Sequence, residues 1–211
     1  MGLLEQITES GIVAVIRGSK PENIVEIGKA LREGGVKALE ITVETPRAIE
    51  IIEKASVELA SEDVIIGAGT VLDAETARAA ILSGAKFVFS PTVNIDTIKM
   101  SKRYGVLSIP GAFTPTEILT AYENGADLIK VFPAGVVGPT YIKNVKGPLP
   151  HIPLMVTGGI DLDNASDYIK AGAVGLGVGS TLVPTNINDE ALQKITEKAK
   201  SFVAAVQEAR G

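Results

Sequence analysis

The sequence predicts an α/β fold of eight strand–helix units closed into a barrel. Three observations carry that reading: a spacing of about one strand plus one helix, glycines that end helix-like stretches, and short continuous apolar runs between them. Helix-like stretches end and apolar runs begin at Gly11-Ile12, Gly34-Gly35-Val36, Gly84-Ala85, Gly105-Val106, Gly125-Ala126 and Gly172-Ala173. A glycine just past a helix end takes the left-handed conformation at little cost. Two further units lack the glycine and turn at Ser61-Glu62-Asp63 and Pro150-His151. The eight starts leave seven intervals across 161 residues, 23 apiece. Runs rich in Val and Ile that alternate with helices indicate buried parallel strands. An open doubly wound sheet is the main alternative, but no single Gly-rich nucleotide turn supports it.

In order along the chain, residues 3–10 read as a helix that covers the bottom of the barrel. The strands are expected at 12–16, 38–43, 64–68, 87–89, 106–109, 128–132, 154–156 and 174–178. Helix starts fall between them. Thr114-Pro115-Thr116-Glu117 is a capping box with proline in the first turn. Ser19-Lys20-Pro21-Glu22 has similar chemistry, and Thr45-Pro46, Asp73-Ala74 and Asp161-Leu162 each place a capping side chain before a helical pattern. The charged stretch 189–210 reads as the solvated face of a last helix. No linker or low-complexity segment divides the 211 residues, so one barrel domain over 1–211 is expected.

Composition removes several function classes. The net charge is -5 and aromatic residues are 4%, so neither a basic stripe nor a stacking platform for nucleic acid is present. No apolar run reaches the roughly 18 residues of a membrane span. The opening Met1-Gly2-Leu3-Leu4-Glu5-Gln6 lacks the basic region and apolar stretch of a signal peptide, and a cytoplasmic protein is expected. There is no cysteine. His151 is the only histidine, so a histidine-bound zinc site is excluded. A carboxylate-only magnesium site stays open. His151 precedes the seventh strand, at the bottom, and reads as structural or exposed; Asp127 borders a turn.

In such a barrel, chemistry belongs at the C-terminal ends of the strands. Alternation puts Val13, Val15 and Arg17 on one face; Ala38, Glu40, Thr42 and Glu44 on another; then Ile66, Ala68 and Thr70; then Leu128, Lys130 and Phe132. If these faces point inward, Arg17, Glu40, Thr70 and Lys130 converge at the mouth. Lys130 stands alone in the apolar run Leu128-Ile129-Lys130-Val131-Phe132-Pro133. Taken by itself, such a lysine reads as the buried partner of a carboxylate or as one reaching to the rim. At the active end it reads as a nucleophile. An ordinary lysine titrates near about 10.4, leaving roughly 1 amine in 2,500 neutral at pH 7, and burial favours the neutral form that attacks a ketone. Glu40 is the candidate acid/base, or else the counter-ion of Lys130 or Arg17. Thr157-Gly158-Gly159 and Gly177-Val178-Gly179-Ser180 follow the last two strands. Their exposed N–H groups suit an anion, as phosphate sites in barrels do.

These motifs together resemble the bacterial KDPG/KHG aldolase family, which acts on 2-dehydro-3-deoxy-6-phosphogluconate and 4-hydroxy-2-oxoglutarate. The resemblance covers nearly the whole chain. It rests on Gly34-Gly35 with Leu39-Glu40-Ile41-Thr42, Gly67-Ala68-Gly69-Thr70-Val71, Ser90-Pro91, Ile109-Pro110-Gly111, Lys130-Val131-Phe132-Pro133-Ala134, Lys146-Gly147-Pro148 and Thr157-Gly158-Gly159-Ile160. It implies a class I aldolase on a TIM barrel, without cofactor or metal, usually a homotrimer, acting on a small 2-oxo acid. Pyruvate and an aldehyde, glyceraldehyde 3-phosphate or glyoxylate, are the implied products. By this likeness Lys130 matches the Schiff-base lysine and Glu40 the acid/base. Thr70 matches a substrate-binding position, Pro91 and Phe132 line the site, and Gly158, Gly159 and Ser180 match the phosphate end, with Thr157 and Gly179 beside them. One position departs. Where some members carry an arginine for the substrate carboxylate, this chain has Glu44; Arg17, ending the neighbouring strand, is expected to supply that cation. A phosphate-binding isomerase or epimerase would explain the two glycine turns but leave Lys130 without a role. A non-catalytic barrel serving as a binding module is the third class.

Overall fold

A computed structural model describes residues 2–211; Met1, the first residue of the opening segment, lies outside the described residues. The chain begins with α1 (Leu3–Ser10). Then come β1 (Ile12–Ile16), α2 (Ile24–Glu33), β2 (Ala38–Thr42), α3 (Ala48–Glu58), β3 (Ile65–Gly69) and α4 (Ala74–Leu82). There follow β4 (Phe87–Phe89), α5 (Ile95–Arg103), β5 (Leu107–Ile109), β6 (Gly111–Ala112) and α6 (Pro115–Glu123). The last units are β7 (Ile129–Val131), α7 (Ala134–Lys146), β8 (Leu154–Thr157), α8 (Ala165–Lys170), β9 (Gly175–Val178) and α9 (Asp189–Arg210). Every strand pairing is parallel, in the order β5-β4-β3-β2-β1-β9-β8-β7-β6. The segments β5 and β6 are two halves of the fifth predicted strand. Pro110 separates them because it has no N–H to give the ladder. Its carbonyl still accepts from the Lys130 N–H at 2.9 Å, so the ring of eight strand positions stays closed. The parallel α/β barrel with an N-terminal helix is therefore the observed fold.

Two apolar layers hold it. Inside the barrel, Val13, Ala38, Ile65, Phe87, Phe89, Ile109, Leu128 and Met155 pack together, and Ile7 of α1 closes the lower end with no exposed surface. Burying one such isoleucine contributes roughly 1.5–3 kcal/mol. Outside, the opposite strand faces meet the helices; Ile195, Ala199, Phe202 and Val206 supply the inner face of α9.

Of the helix-ending glycines, Gly11, Gly35, Gly84, Gly105, Gly125 and Gly172 take positive φ, from 68° at Gly11 to 107° at Gly84, while Gly34 stays right-handed at -77°. Asp63 takes the same role with φ 57° in a unit that lacks glycine. The Thr114 capping box forms, with the Glu117 N–H donating to Oγ1 at 3.2 Å and Glu117 Oε2 accepting from the Thr114 N–H at 2.8 Å. Asp73 accepts from the Thr76 N–H at 2.6 Å. Two expected caps do not form. The second and third helices begin after Asn23 and Arg47, and neither of those residues caps with its side chain. The Thr45 hydroxyl instead accepts from the Gly18 N–H at 3.0 Å and shares a 3.1 Å bond with the Thr42 hydroxyl. The Thr42 partner is local; the Gly18 partner is tertiary and ties the loop after β1 to the loop after β2. Ser19 Oγ is buried without a partner among the described residues. Asp161 sits four residues ahead of α8, and its Oδ1 accepts from the N–H groups of Asp163 and Asn164.

The third strand corrects the expected faces. Ile66 and Ala68 point outward into the helix-facing layer, while Ile65, Gly67 and Gly69 face inward. Both faces of a barrel strand are apolar, and glycine marks neither, so alternation had no anchor there. Thr42 shares the inward face of β2 with Glu40, but it is fully buried and bonded to the Thr45 hydroxyl, and it does not line the cavity described next.

Candidate active site

A cavity of about 500 Å³ opens at the C-terminal ends of the strands. The eleven predicted side chains and backbone positions surround it: Arg17, Glu40, Thr70, Pro91, Lys130, Phe132, Thr157, Gly158, Gly159, Gly179 and Ser180. Thr70 arrives by an unforeseen route. It follows the last residue of β3 with φ 58°, and this left-handed step turns it to the mouth although Ile66 and Ala68 point away. A β-branched residue there is strained, a condition common where structure serves a site. The cavity also includes Glu44, Asp161 and Thr181. Sequence signals for the last two were weak, because single polar residues after a strand are common in turns.

Lys130 is 6% exposed and extends from β7 between two rings. Its Nζ lies 5.1 Å from the Phe89 ring centroid and 5.2 Å from that of Phe132, within range of a cation–π attraction. Among the described residues no carboxylate lies within 4.0 Å of Nζ. The amine is buried without being consumed by an ion pair.

Glu40, on β2, is 1% exposed, and its Oε2 has no hydrogen-bond partner among the described residues. Burial pushes its carboxyl above the ordinary value of 4.5, while the charges of Lys130 and Arg17 pull it back. An acid so tuned is suited to take up and return a proton.

Arg17 and Glu44 form an ion pair at the rim, from Nη1 to Oε2, with side chains 64% and 53% exposed. The glutamate that departs from the family pattern is thus the partner of the arginine expected to compensate for it. On the opposite side, Gly158 and Gly159 take φ 85° and 78°. A Cβ at Gly158 would lie 3.1 Å from the Phe132 ring, and one at Gly159 would lie 3.1 Å from Gly135 Cα. The N–H groups of Gly159, Gly179 and Ser180 make no hydrogen bond among the described residues, which leaves them as donors for an anion. The Thr157 hydroxyl is committed to the Gly177 carbonyl at 2.8 Å. His151 lies away from the cavity, exposed and edge-on to Tyr122. Asp127 accepts from the Ser108 N–H and from Lys102, a structural role. Among the described residues no three His, Cys, Asp or Glu side chains gather as a metal site, and no helix is long and apolar enough to cross a membrane.

The family model described as KDPG and KHG aldolase matches residues 3–198. The chain belongs to this aldolase family. Within it, the chain is 33% identical over 203 residues to the 2-dehydro-3-deoxy-6-phosphogalactonate aldolase of Escherichia coli K12, covering 96% of this chain and 97% of that one. It is 32% identical over 199 residues to the KHG/KDPG aldolase of the same organism, covering 93% and 92%. The KDPG aldolase of Legionella pneumophila, solved with pyruvate captured as a covalent carbinolamine, superposes with a TM-score of 0.84 at 28% identity, covering 93% and 96%. Family members so close in sequence are named for different sugar acids, so membership establishes an aldolase and leaves its substrate to the site.

Proposed function

We propose that this aldolase is a class I enzyme that reversibly cleaves a 4-hydroxy-2-oxo acid to pyruvate and an aldehyde. The substrates proposed are 2-dehydro-3-deoxy-6-phosphogluconate, 4-hydroxy-2-oxoglutarate or both, and the aldehydes glyceraldehyde 3-phosphate and glyoxylate. The observation that carries this reading is a buried lysine free of any close carboxylate, in one cavity with a buried carboxyl that has an unpartnered oxygen.

In the proposed sequence the neutral Lys130 amine adds to the C2 ketone, and uptake of a proton from solvent with loss of water gives an iminium; the final hydrolysis returns that proton. Glu40 takes the proton of the C4 hydroxyl. The C3–C4 bond breaks, its electron pair moves toward the iminium nitrogen, and an aldehyde leaves behind an enamine. Glu40 returns its proton to C3, and water frees pyruvate and the amine. Arg17 and Thr70 hold the substrate carboxylate, and the N–H groups of Gly159, Gly179 and Ser180 hold the far anionic group. Pro91, Phe132, Thr157 and Gly158 shape the walls. The carbinolamine in the Legionella pneumophila relative supports the first step.

Borohydride reduction in the presence of pyruvate, followed by mass mapping, tests the reading. A mass increase on the peptide that contains Lys130 is expected; absence of an adduct there refutes the mechanism. Turnover of the phosphorylated sugar acid against 4-hydroxy-2-oxoglutarate then ranks the two substrates.

A further inference from the structure

We propose that Gly69 is a positioning residue for Glu40: its missing side chain is the space into which the Glu40 carboxyl folds. The inference rests on the aldolase reading for its catalytic consequence, and on packing alone for its structural part.

Strands β2 and β3 run side by side, with Glu40 opposite Gly67 and Thr42 opposite Gly69. The inward face of β3 is therefore Ile65, Gly67 and Gly69. Its upper part is bare. The two glycines are bare for different reasons. A Cβ on Gly67 would meet the Phe87 ring. A Cβ on Gly69 would come within 2.5 Å of Oε1, Cδ and Cγ of Glu40, and these are its three nearest atoms. Backbone freedom does not explain the glycine, because Gly69 is absent from the positive-φ positions. Alanine fits that backbone. What it does not fit is Glu40.

The wall also sets the surroundings of the carboxyl. Glycine offers no side-chain donor to the carboxyl, whose buried Oε2 has no hydrogen-bond partner among the described residues either. A methyl at Gly69 drives the carboxyl away from β3. Oε1 would stand 1.8 Å from that Cβ and ordinary heavy-atom contacts lie near 4 Å, so the shift is roughly 2 Å. Misplacement of a reacting group by even about 1 Å costs about 100-fold in rate.

The test uses the full chain in four forms: wild type, Gly69→Ala, Glu40→Asp and the double variant. In deuterium oxide, exchange of the pyruvate C3 protons reads the Glu40 step. Borohydride trapping at saturating pyruvate reads the Lys130 step. Gly69→Ala is expected to slow exchange about 100-fold while trapping changes far less. Thermal melting supplies the second axis. Aspartate is one methylene shorter and vacates the space, so Gly69→Ala is expected to lower Tm markedly in the wild-type background and much less in Glu40→Asp. Equal loss of Tm in both backgrounds overturns the proposal, as does exchange by Gly69→Ala at the wild-type rate. Should Gly69→Ala fail to fold alone, folding of the double variant supports the contact and its failure overturns it. The melting cycle is independent of chemistry. A wild-type chain that neither traps nor exchanges pyruvate therefore refutes the aldolase reading, while the Tm coupling still decides the Gly69 contact.

Discussion

Replacing Glu44 by glutamine tests how the rim handles a substrate carboxylate. Arg17 Nη1 is paired with Glu44 Oε2 in the open site, so an incoming carboxylate competes with an internal one. The side chains are 64% and 53% exposed, which makes this a solvent-screened pair. Such pairs contribute about 0–1 kcal/mol, equivalent to at most roughly a fivefold change in an equilibrium constant. Glu44→Gln is therefore expected to tighten pyruvate binding by about two- to fivefold at low salt. The gain should shrink above about 0.1 M salt, where the screening length falls to about 10 Å. Borohydride trapping as a function of pyruvate concentration gives the apparent Kd. The control is Arg17→Ala, which should weaken binding by about tenfold. In Arg17→Ala/Glu44→Gln the benefit of the glutamine should vanish. Unchanged or weaker binding in Glu44→Gln would refute the competition argument and make Glu44 a support for Arg17.

Four further outcomes are expected. Lys130→Met should abolish the pyruvate adduct and lower turnover by about 10⁴-fold or more; residual turnover near wild type would remove Lys130 from the chemistry. Glu40→Gln should stabilise the chain increasingly as pH rises above 4.5. Burial raises the folded-state pKa of Glu40, so wild type loses stability as pH climbs from the unfolded value through the folded one, and a difference in Tm that is flat between pH 4 and 8 would contradict this. Thr114→Ala removes one side of a capping box and should cost about 1 kcal/mol, or roughly 2–4 °C in Tm. Ile7→Ala empties the lower plug of the barrel and should cost about 2–5 kcal/mol by denaturant titration, with a value below about 1 implying that the helix is dispensable.

The barrel was legible because its period was written in glycines and apolar runs, both of which act locally. Inward faces were legible where a polar residue marked them: Arg17 just after β1, Glu40 on β2 and Lys130 on β7. Strand β3 carries no such mark, and its inward face is two glycines, so Ile66 and Ala68 were placed on the wrong side. Thr70 reaches the mouth only through a left-handed step that residue type does not announce. Thr45 was read as a cap because its neighbours fit the pattern. Its hydroxyl serves Gly18, 27 residues away, a partner known only once β1 and β2 lie side by side. Glu44 shows in the sequence only as a departure from the arginine that the resemblance implies. Opposite charges at the ends of adjacent strands become partners in the fold, and only the fold makes them adjacent.

The helix that stops the lower end of the barrel has a consequence for traffic. Ile7 plugs the lower end of the barrel, and the cavity around Lys130 lies at the other end, where Arg17 and Glu44 pair. Under the proposed chemistry pyruvate stays tethered to Lys130 while its aldehyde is already free. Departure is then ordered, aldehyde first and pyruvate last. Added pyruvate, which meets the empty enzyme, should inhibit cleavage competitively with substrate, and added aldehyde, which meets only the tethered state, should not.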